Sequence, residues 1–291
     1  MKVRIGVSPG RSGIDLDILD QLCSAIVEHH FDSLWLSEVL TSESLEPLIG
    51  LAVAAAKFPT LKLGTTMLAP GRNAIRLAKS LATLDRLSNG RLLVTFVPGL
   101  LDDPESSAIG IAPKERGAVM DELLPLLREL FSGKSVSYSG LLGSFAEVRI
   151  RPLPVQEPLE FWMGGIAKSS LVRCGSLADG WLPSLCAPEK AVEGREVINA
   201  AAAAAGREIS PEHFGVSVPY ALRDDAQVQR AIATRRSQTV GIPIGTAALR
   251  TTLEQFIEVG FSKFVLRPVG SIGAWSDELA DVASAVGDLQ S

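Results

Sequence analysis

Three histidines and three cysteines are all that this 291-residue chain offers to a metal ion or a redox pair. Cys23, Cys174 and Cys186 are odd in number and far apart, which fits neither a disulfide framework nor a zinc-binding spacing. His29, His30 and His213 are too few for a histidine-rich metal centre, so no metal ligand is expected. Positive charge is also short: 28 Lys and Arg stand against 33 Asp and Glu, a formal net charge of -5. That balance argues against a nucleic-acid groove or an anionic membrane surface as partner. No apolar run is long enough for a membrane span; the nearest candidate, Ile198 to Gly206, reads as a short alanine-rich helix. No signal-peptide pattern precedes the first strand-like segment, so a cytoplasmic location is expected.

What the chain does have is core. Hydrophobic residues make up 46% and charged residues 21%, the balance of a folded globular protein. Short β-type runs alternate with longer helical patterns. The strands are expected at Val3–Ser8, Ser33–Ser37, Leu61–Met67, Leu92–Val97, Glu160–Gly164, Gly180–Ser184, Phe214–Ala221 and Lys263–Arg267. Most are near-continuous apolar stretches, as parallel strands covered on both faces should be. Helices are expected at Asp15–His30, Ser44–Lys57, Asn73–Leu87, Pro113–Phe131, Ala167–Leu177, Pro188–Ala205, Asp224–Val240 and Thr246–Val259. Eight alternations with no break in composition favour one (β/α)8 barrel domain over residues 1–291. Residues 131–158 form an irregular excursion, with a small hairpin expected at Ser135–Tyr138 and Ala146–Ile150.

Chemistry in such barrels sits at the carboxyl ends of the strands. Gly164-Gly165 follows a strand and precedes a helix beginning near Ala167. Backbone N–H groups there, with Ile166 and Ala167, suit an anion; a plain strand-to-helix turn has the same sequence. Glu38, after the second strand, is the candidate functional carboxylate, either orienting a ligand or moving a proton, with a capping role as the alternative. Arg267, after the eighth strand, suits an anionic substrate or an ion pair. Asp85 and Arg91 are expected to pair around the Ser88-Asn89-Gly90 turn. His213, just before a strand, is expected at the amino-terminal rim, away from the chemistry.

Several motifs occur in a telling order. Phe31-Asp32-Ser33-Leu34-Trp35 is followed by Leu63-Gly64-Thr65-Thr66-Met67, Arg72, and the run from Ala82 to Arg91. Pro152-Leu153-Pro154-Val155-Gln156-Glu157-Pro158, Gly164-Gly165 and Ala178-Asp179-Gly180-Trp181-Leu182-Pro183 come after. Over about residues 3–185 this set resembles the bacterial luciferase-like monooxygenase family; the last third matches by rhythm only.

The resemblance implies a flavin-type cofactor whose phosphate is held at Gly164, Gly165, Ile166 and Ala167. It implies a bulge with a non-proline cis peptide at Thr66–Met67, propping the back of the cofactor ring, with Ser8 and Val97 also beside the cofactor. Many deazaflavin-dependent members carry an acid followed by histidine after the second strand; here Glu38 is followed by Val39. Val97-Pro98-Gly99-Leu100 also lacks the glycine-rich pattern and the acid of sugar-phosphate-oxidising members. These departures count against sugar-phosphate oxidation.

The compact length and the Gly-Gly-Ile-Ala-Lys loop look more like the branch that uses the deazaflavin coenzyme F-420, an obligate hydride carrier, than the FMN-dependent monooxygenase branch. Val39, Met67, Val97, Pro98 and Leu100 suggest an apolar substrate side, with Val39 and Arg267 touching a small organic substrate. A catalytically silent cofactor-binding member is a further alternative, and an unrelated barrel lyase or isomerase a weaker one. The resemblance also implies a homodimer through the helices at 44–57 and 73–87.

Overall fold

Parallel strands with helices between them can close on themselves only if each βα unit packs its helix on the outside. The computed structural model, which describes residues 1–10, 13–99, 104–234 and 241–291, shows this arrangement. The first half contains β1 (Arg4–Val7), α1 (Leu16–Glu28), β2 (Ser33–Ser37), α2 (Pro47–Lys57), β3 (Lys62–Leu68), α3 (Ala74–Leu87), β4 (Leu92–Val97) and α4 (Arg116–Phe131). A hairpin of β5 (Val136–Gly140) and β6 (Gly143–Val148) follows. The chain then returns with β7 (Phe161–Met163), α5 (Lys168–Leu177), β8 (Gly180–Trp181), α6 (Pro188–Ala204) and β9 (Gly215–Tyr220). It ends with α7 (Ala226–Thr234), α8 (Thr246–Glu258), β10 (Lys263–Pro268) and α9 (Trp275–Val286).

Eight strands pair in parallel in the order β8-β7-β4-β3-β2-β1-β10-β9. Parallel bridges Trp181–Phe214 and Ser184–Ser217 join β8 to β9, bringing the two edges of the sheet together. The result is a (β/α)8 barrel, and the hairpin stands outside its sheet. No helix of the described residues is long and apolar enough to cross a membrane.

Two tryptophans fill the barrel's interior. Trp35 on β2 and Trp162 on β7 form a buried cluster with Leu182 and Val265, separate from the main core between strands and helices. Each indole lies over a glycine of a neighbouring strand. A Cβ on Gly64 would come within 2.2 Å of the Trp35 ring, and one on Gly180 within 2.4 Å of the Trp162 ring. These glycines are therefore steric partners of the indoles. Below them, the buried Lys263 ammonium meets Asp32 at 2.5 Å and Ser33 Oγ at 3.4 Å, closing the amino-terminal floor. Burial alone would raise the Asp32 pKa, but Lys263 and Lys62 outweigh it and hold the carboxyl at about 2.

Several helices start on side chains that satisfy their first amides. Asp15, Glu46 and Asn73 accept from the backbone N–H of Ile18, Ile49 and Arg76, respectively. The structure contains the expected elements, with boundary shifts and one further helix. Two helices, α7 and α8, follow β9 as expected, while α9 stands beyond the expected elements and completes the last βα unit. Its Trp275, Leu279, Val282 and Val286 are buried at helical spacing. Residues 235–240 of the expected seventh helix, like Leu100, lie outside the described residues.

Candidate active site at the barrel mouth

Strand alternation decides which side chains enter the barrel. Ser33 and Trp35 point inward on β2, so Ser37 does too; Gly64 faces Trp35 on β3, so Thr66 follows it inward. Leu93 packs on the tryptophan cluster, which sends Thr95 and Val97 inward on β4. Gly6 faces Ser33 and Trp35 on β1, so Ser8 is inward; Lys263 and Val265 place Arg267 inward on β10. Ser37, Thr66 and Thr95 are in-register neighbours and form a row of hydroxyls just above the indoles. These hydroxyls stand beside the apolar Val97, which also turns inward.

Thr95 is fully buried, and its Oγ1 has no hydrogen-bond partner within the protein. Ser8 is buried and accepts the Gly10 N–H at 3.4 Å. Val97 Cγ1 lies 2.7 Å from where a Gly164 Cβ would sit, so these two positions meet on β4 and β7. Arg267 is half-buried, its Cγ near Gly10 at the end of β1. The structure therefore gathers Ser8, Thr66, Val97, Gly164 and Arg267 at one end of the barrel.

Three expectations fail on geometry. The Met67 side chain is wholly buried in the layer between strands and helices, on the opposite face from Thr66. It cannot line the mouth. The bulge and non-proline cis peptide at Thr66–Met67 are absent: among the described residues the cis bonds are Arg151–Pro152 and Glu157–Pro158. Thr66 and Met67 stay in register with Thr95 and Phe96, and the Glu38 N–H donates to the Thr66 carbonyl at 2.8 Å, so the strand end remains regular.

Glu38 is the third. Because Ser37 turns inward, Glu38 turns out, between β2 and β3. Its Oε2 accepts the Leu68 N–H at 2.8 Å, and its Oε1 accepts from Arg72. Arg72 Nε in turn donates to the Leu68 carbonyl at 3.0 Å. The carboxylate is a brace that fixes the end of β3. With both oxygens engaged, the carboxylate takes the capping arrangement that the sequence left as the alternative. Val39, half-buried, follows it into the loop, where its carbonyl accepts from Ser42.

Arg91 and Asp85 also part company. Arg91 donates to the carbonyls of Ala55, Phe58, Leu61 and Ser88, closing the end of α2. Asp85 instead accepts the N–H groups of Val155 and Gln156 at 2.6 and 3.0 Å. His213 sits at the amino-terminal rim, its Nδ1 2.8 Å from the Asp179 carbonyl. Burial pushes the Cys23 thiol up to about 12 and the Cys186 thiol to about 11, and raises Cys174 as well. None is a thiolate nucleophile at neutral pH.

The loop after β7 has the shape of an anion cradle. The Gly164 N–H continues the ladder to the Phe96 carbonyl at 3.0 Å, while Gly165 has φ +96, a conformation that favours glycine. Helix α5 then begins after Ala167 without any side-chain cap, so its first amides lack the partner that α1, α2 and α3 have. Ile166, Ala167, Lys168 and Ser169 are exposed. The sequence marks this loop and the strand end at Ser37, but gives no sign of Thr95. A surface groove of about 620 Å³ runs between α4 and α5 from the start of α5, lined by Asp121, Lys168, Ser169, Val172, Arg173 and Ser176.

Comparisons with known proteins agree with this architecture. Over 141 residues the chain is 31% identical to the uncharacterized protein Rv0953c of Mycobacterium tuberculosis; the match covers 48% of the chain and 50% of the relative. The chain thus spans about half the length of the curated relatives it matches. Among solved structures it superposes on an F-420-dependent secondary alcohol dehydrogenase bound to an F-420–acetone adduct, with TM-score 0.84 and 17% identity. That match covers 100% of both chains. It also superposes on the monooxygenase RslO1 from Streptomyces bottropensis, with TM-score 0.80, 20% identity and coverage of 98% and 99%. The family model for luciferase-like monooxygenases matches residues 2–286, and the chain belongs to that family.

Proposed function

We propose that this protein is an oxidoreductase that holds the deazaflavin coenzyme F-420 across the barrel mouth and passes hydride to or from a small organic substrate. The observation that carries the reading is the loop after β7, where Gly165 at positive φ leads into the uncapped start of α5. Its residues fit a phosphate: Val97 packs against the Gly164 side of the turn, only Ser170 stands near Gly165, and the first helical amides carry partial positive charge. Gly164, Gly165, Ile166 and Ala167 would hold that end of the cofactor. When bound, a deazaflavin supplies a carbon that accepts or donates hydride.

The chain's own residues orient and enclose. Ser8, Ser37 and Thr66 offer hydroxyls from inside the mouth, suited to a carbonyl or alcohol oxygen. Trp35 and Trp162 block water from below, and Val97 packs beside Gly164. Val39 and Arg267 flank the opening as substrate contacts. Support for F-420 over FMN comes from end-to-end coverage of the F-420-dependent dehydrogenase at TM-score 0.84. The likeness to a monooxygenase of equal length favours FMN as the second reading. The absence of a histidine after Glu38, with Glu38 itself locked, favours a catalytically silent binder as the third.

Titration with F-420 and FMN side by side, with oxygen uptake followed under reducing conditions, separates these. Tight F-420 binding with hydride transfer to a carbonyl or conjugated acceptor is the expected result. Tight FMN binding with oxygen consumption would replace the proposal by a monooxygenase, and binding without turnover across a broad acceptor panel by the silent form.

A further inference from the structure

The run Ala178-Asp179-Gly180-Trp181-Leu182-Pro183 has no role in the site as described, yet each central residue makes a specific contact. Asp179 accepts the Phe161 N–H at 2.8 Å and Arg128 at 2.7 Å, which pins the start of β7. Gly180 leaves room for the Trp162 indole. Trp181 is buried, turned outward against α6, where Gly194 supplies the space: a Cβ there would lie 2.6 Å from the indole. Its Nε1 donates to the Gly165 carbonyl at 2.9 Å.

That hydrogen bond controls more than the carbonyl. Gly165 C=O and Ile166 N–H belong to one peptide unit, and in a planar trans peptide they point in opposite directions. Drawing the carbonyl toward the buried indole turns the Ile166 N–H the other way, away from the indole, in a residue that is exposed. Gly165, with φ +96 and no side chain, has little of its own to hold this plane. Phenylalanine would fill the same space without the donor.

We propose that Trp181 is a positioning residue for cofactor binding: its indole N–H sets the Gly165–Ile166 peptide so that the Ile166 amide faces the cofactor's phosphate. The inference rests on the reading of the β7–α5 loop as the phosphate site, and deepens it.

The test compares full-length wild type with Trp181→Phe in their discrimination between phosphate-bearing and phosphate-free ligands, FMN against riboflavin and F-420 against its phosphate-free chromophore. Wild type is expected to prefer the phosphate-bearing form. Trp181→Phe should lose roughly tenfold of that preference, the scale of one hydrogen bond to a charged ligand, with affinity for the phosphate-free form unchanged. Gly194→Ala displaces the same indole without touching the loop and should lose preference in the same sense, which keeps the test intact if Trp181→Phe folds poorly. A lower melting temperature with full discrimination means that Trp181 only packs, and overturns the proposal. A wild type that does not discriminate at all overturns the phosphate loop itself, and this role of Trp181 with it.

Discussion

Arg72 and Glu38 close a ring at the end of β3: Glu38 takes the Leu68 N–H and the Arg72 guanidinium, and Arg72 takes the Leu68 carbonyl. The strand would otherwise end with an unpaired peptide beside the mouth. Glu38 is therefore expected to act on stability. Glu38→Gln should lower stability by roughly 1–2 kcal/mol, since the charged partner of a half-buried arginine is lost. The pH profile of kcat/KM should keep its shape. A well-folded Glu38→Gln protein with a hundredfold loss in kcat and an altered profile would return Glu38 to the chemistry.

Gly64 and Trp35 depend on each other. A methyl group at Gly64 would lie 2.2 Å from the Trp35 ring, in a lumen with no room to yield. Gly64→Ala should cost about 3 kcal/mol or fail to give soluble protein. The double variant Gly64→Ala with Trp35→Phe should recover part of the loss, because the two changes share one volume. Additive losses in denaturant melts would show that the contact is slack.

Acid should weaken the barrel floor. The Asp32 carboxyl is held at about 2 in the folded chain, below its usual 3.8. A depressed folded pKa contributes stability that is present above pH 4 and lost as pH falls from about 4 to 2. The contribution is about 2 kcal/mol. The stability gap between wild type and Asp32→Asn should therefore shrink over that interval in urea titrations. A gap that stays constant from pH 6 to pH 2 would mean that the Lys263–Asp32 contact carries no linked proton.

Thr95 offers the opposite sign. Its Oγ1 is buried without a protein partner, so the ligand-free fold gains nothing from it. Thr95→Val, nearly isosteric, should leave the melting temperature unchanged or raise stability by up to about 1 kcal/mol. A loss of 2 kcal/mol or more would reveal a hydrogen bond that the fold needs.

Much of the fold was legible, because parallel strands and amphipathic helices differ in period and length. β2 and β4 lie where the apolar runs put them, and the 131–158 excursion contains its hairpin. Helix α9 carries a readable signal in Trp275, Leu279, Val282 and Val286, but it follows the last strand, where the strand–helix rhythm asks for no further strand. The face of each residue was not legible. A strand buried on both sides shows no polar alternation, so nothing in Leu63-Gly64-Thr65-Thr66-Met67 marks Thr66 as inward and Met67 as outward. Only the Trp35–Gly64 contact, made between strands, settles it. Glu38 was legible as a carboxylate at the mouth, but its partner Arg72 lies 34 residues away and its orientation follows from the neighbouring strand.

The central claim is that backbone amides following β7 capture the anionic end of the cofactor. A crystal structure of the protein soaked with F-420 tests it most directly. Phosphate oxygens about 3 Å from amides between Gly165 and Ser169, with the ring over Thr66 and Val97, are the predicted result. A phosphate seated elsewhere, such as the groove between α4 and α5, with the Gly165 turn empty, would contradict the account.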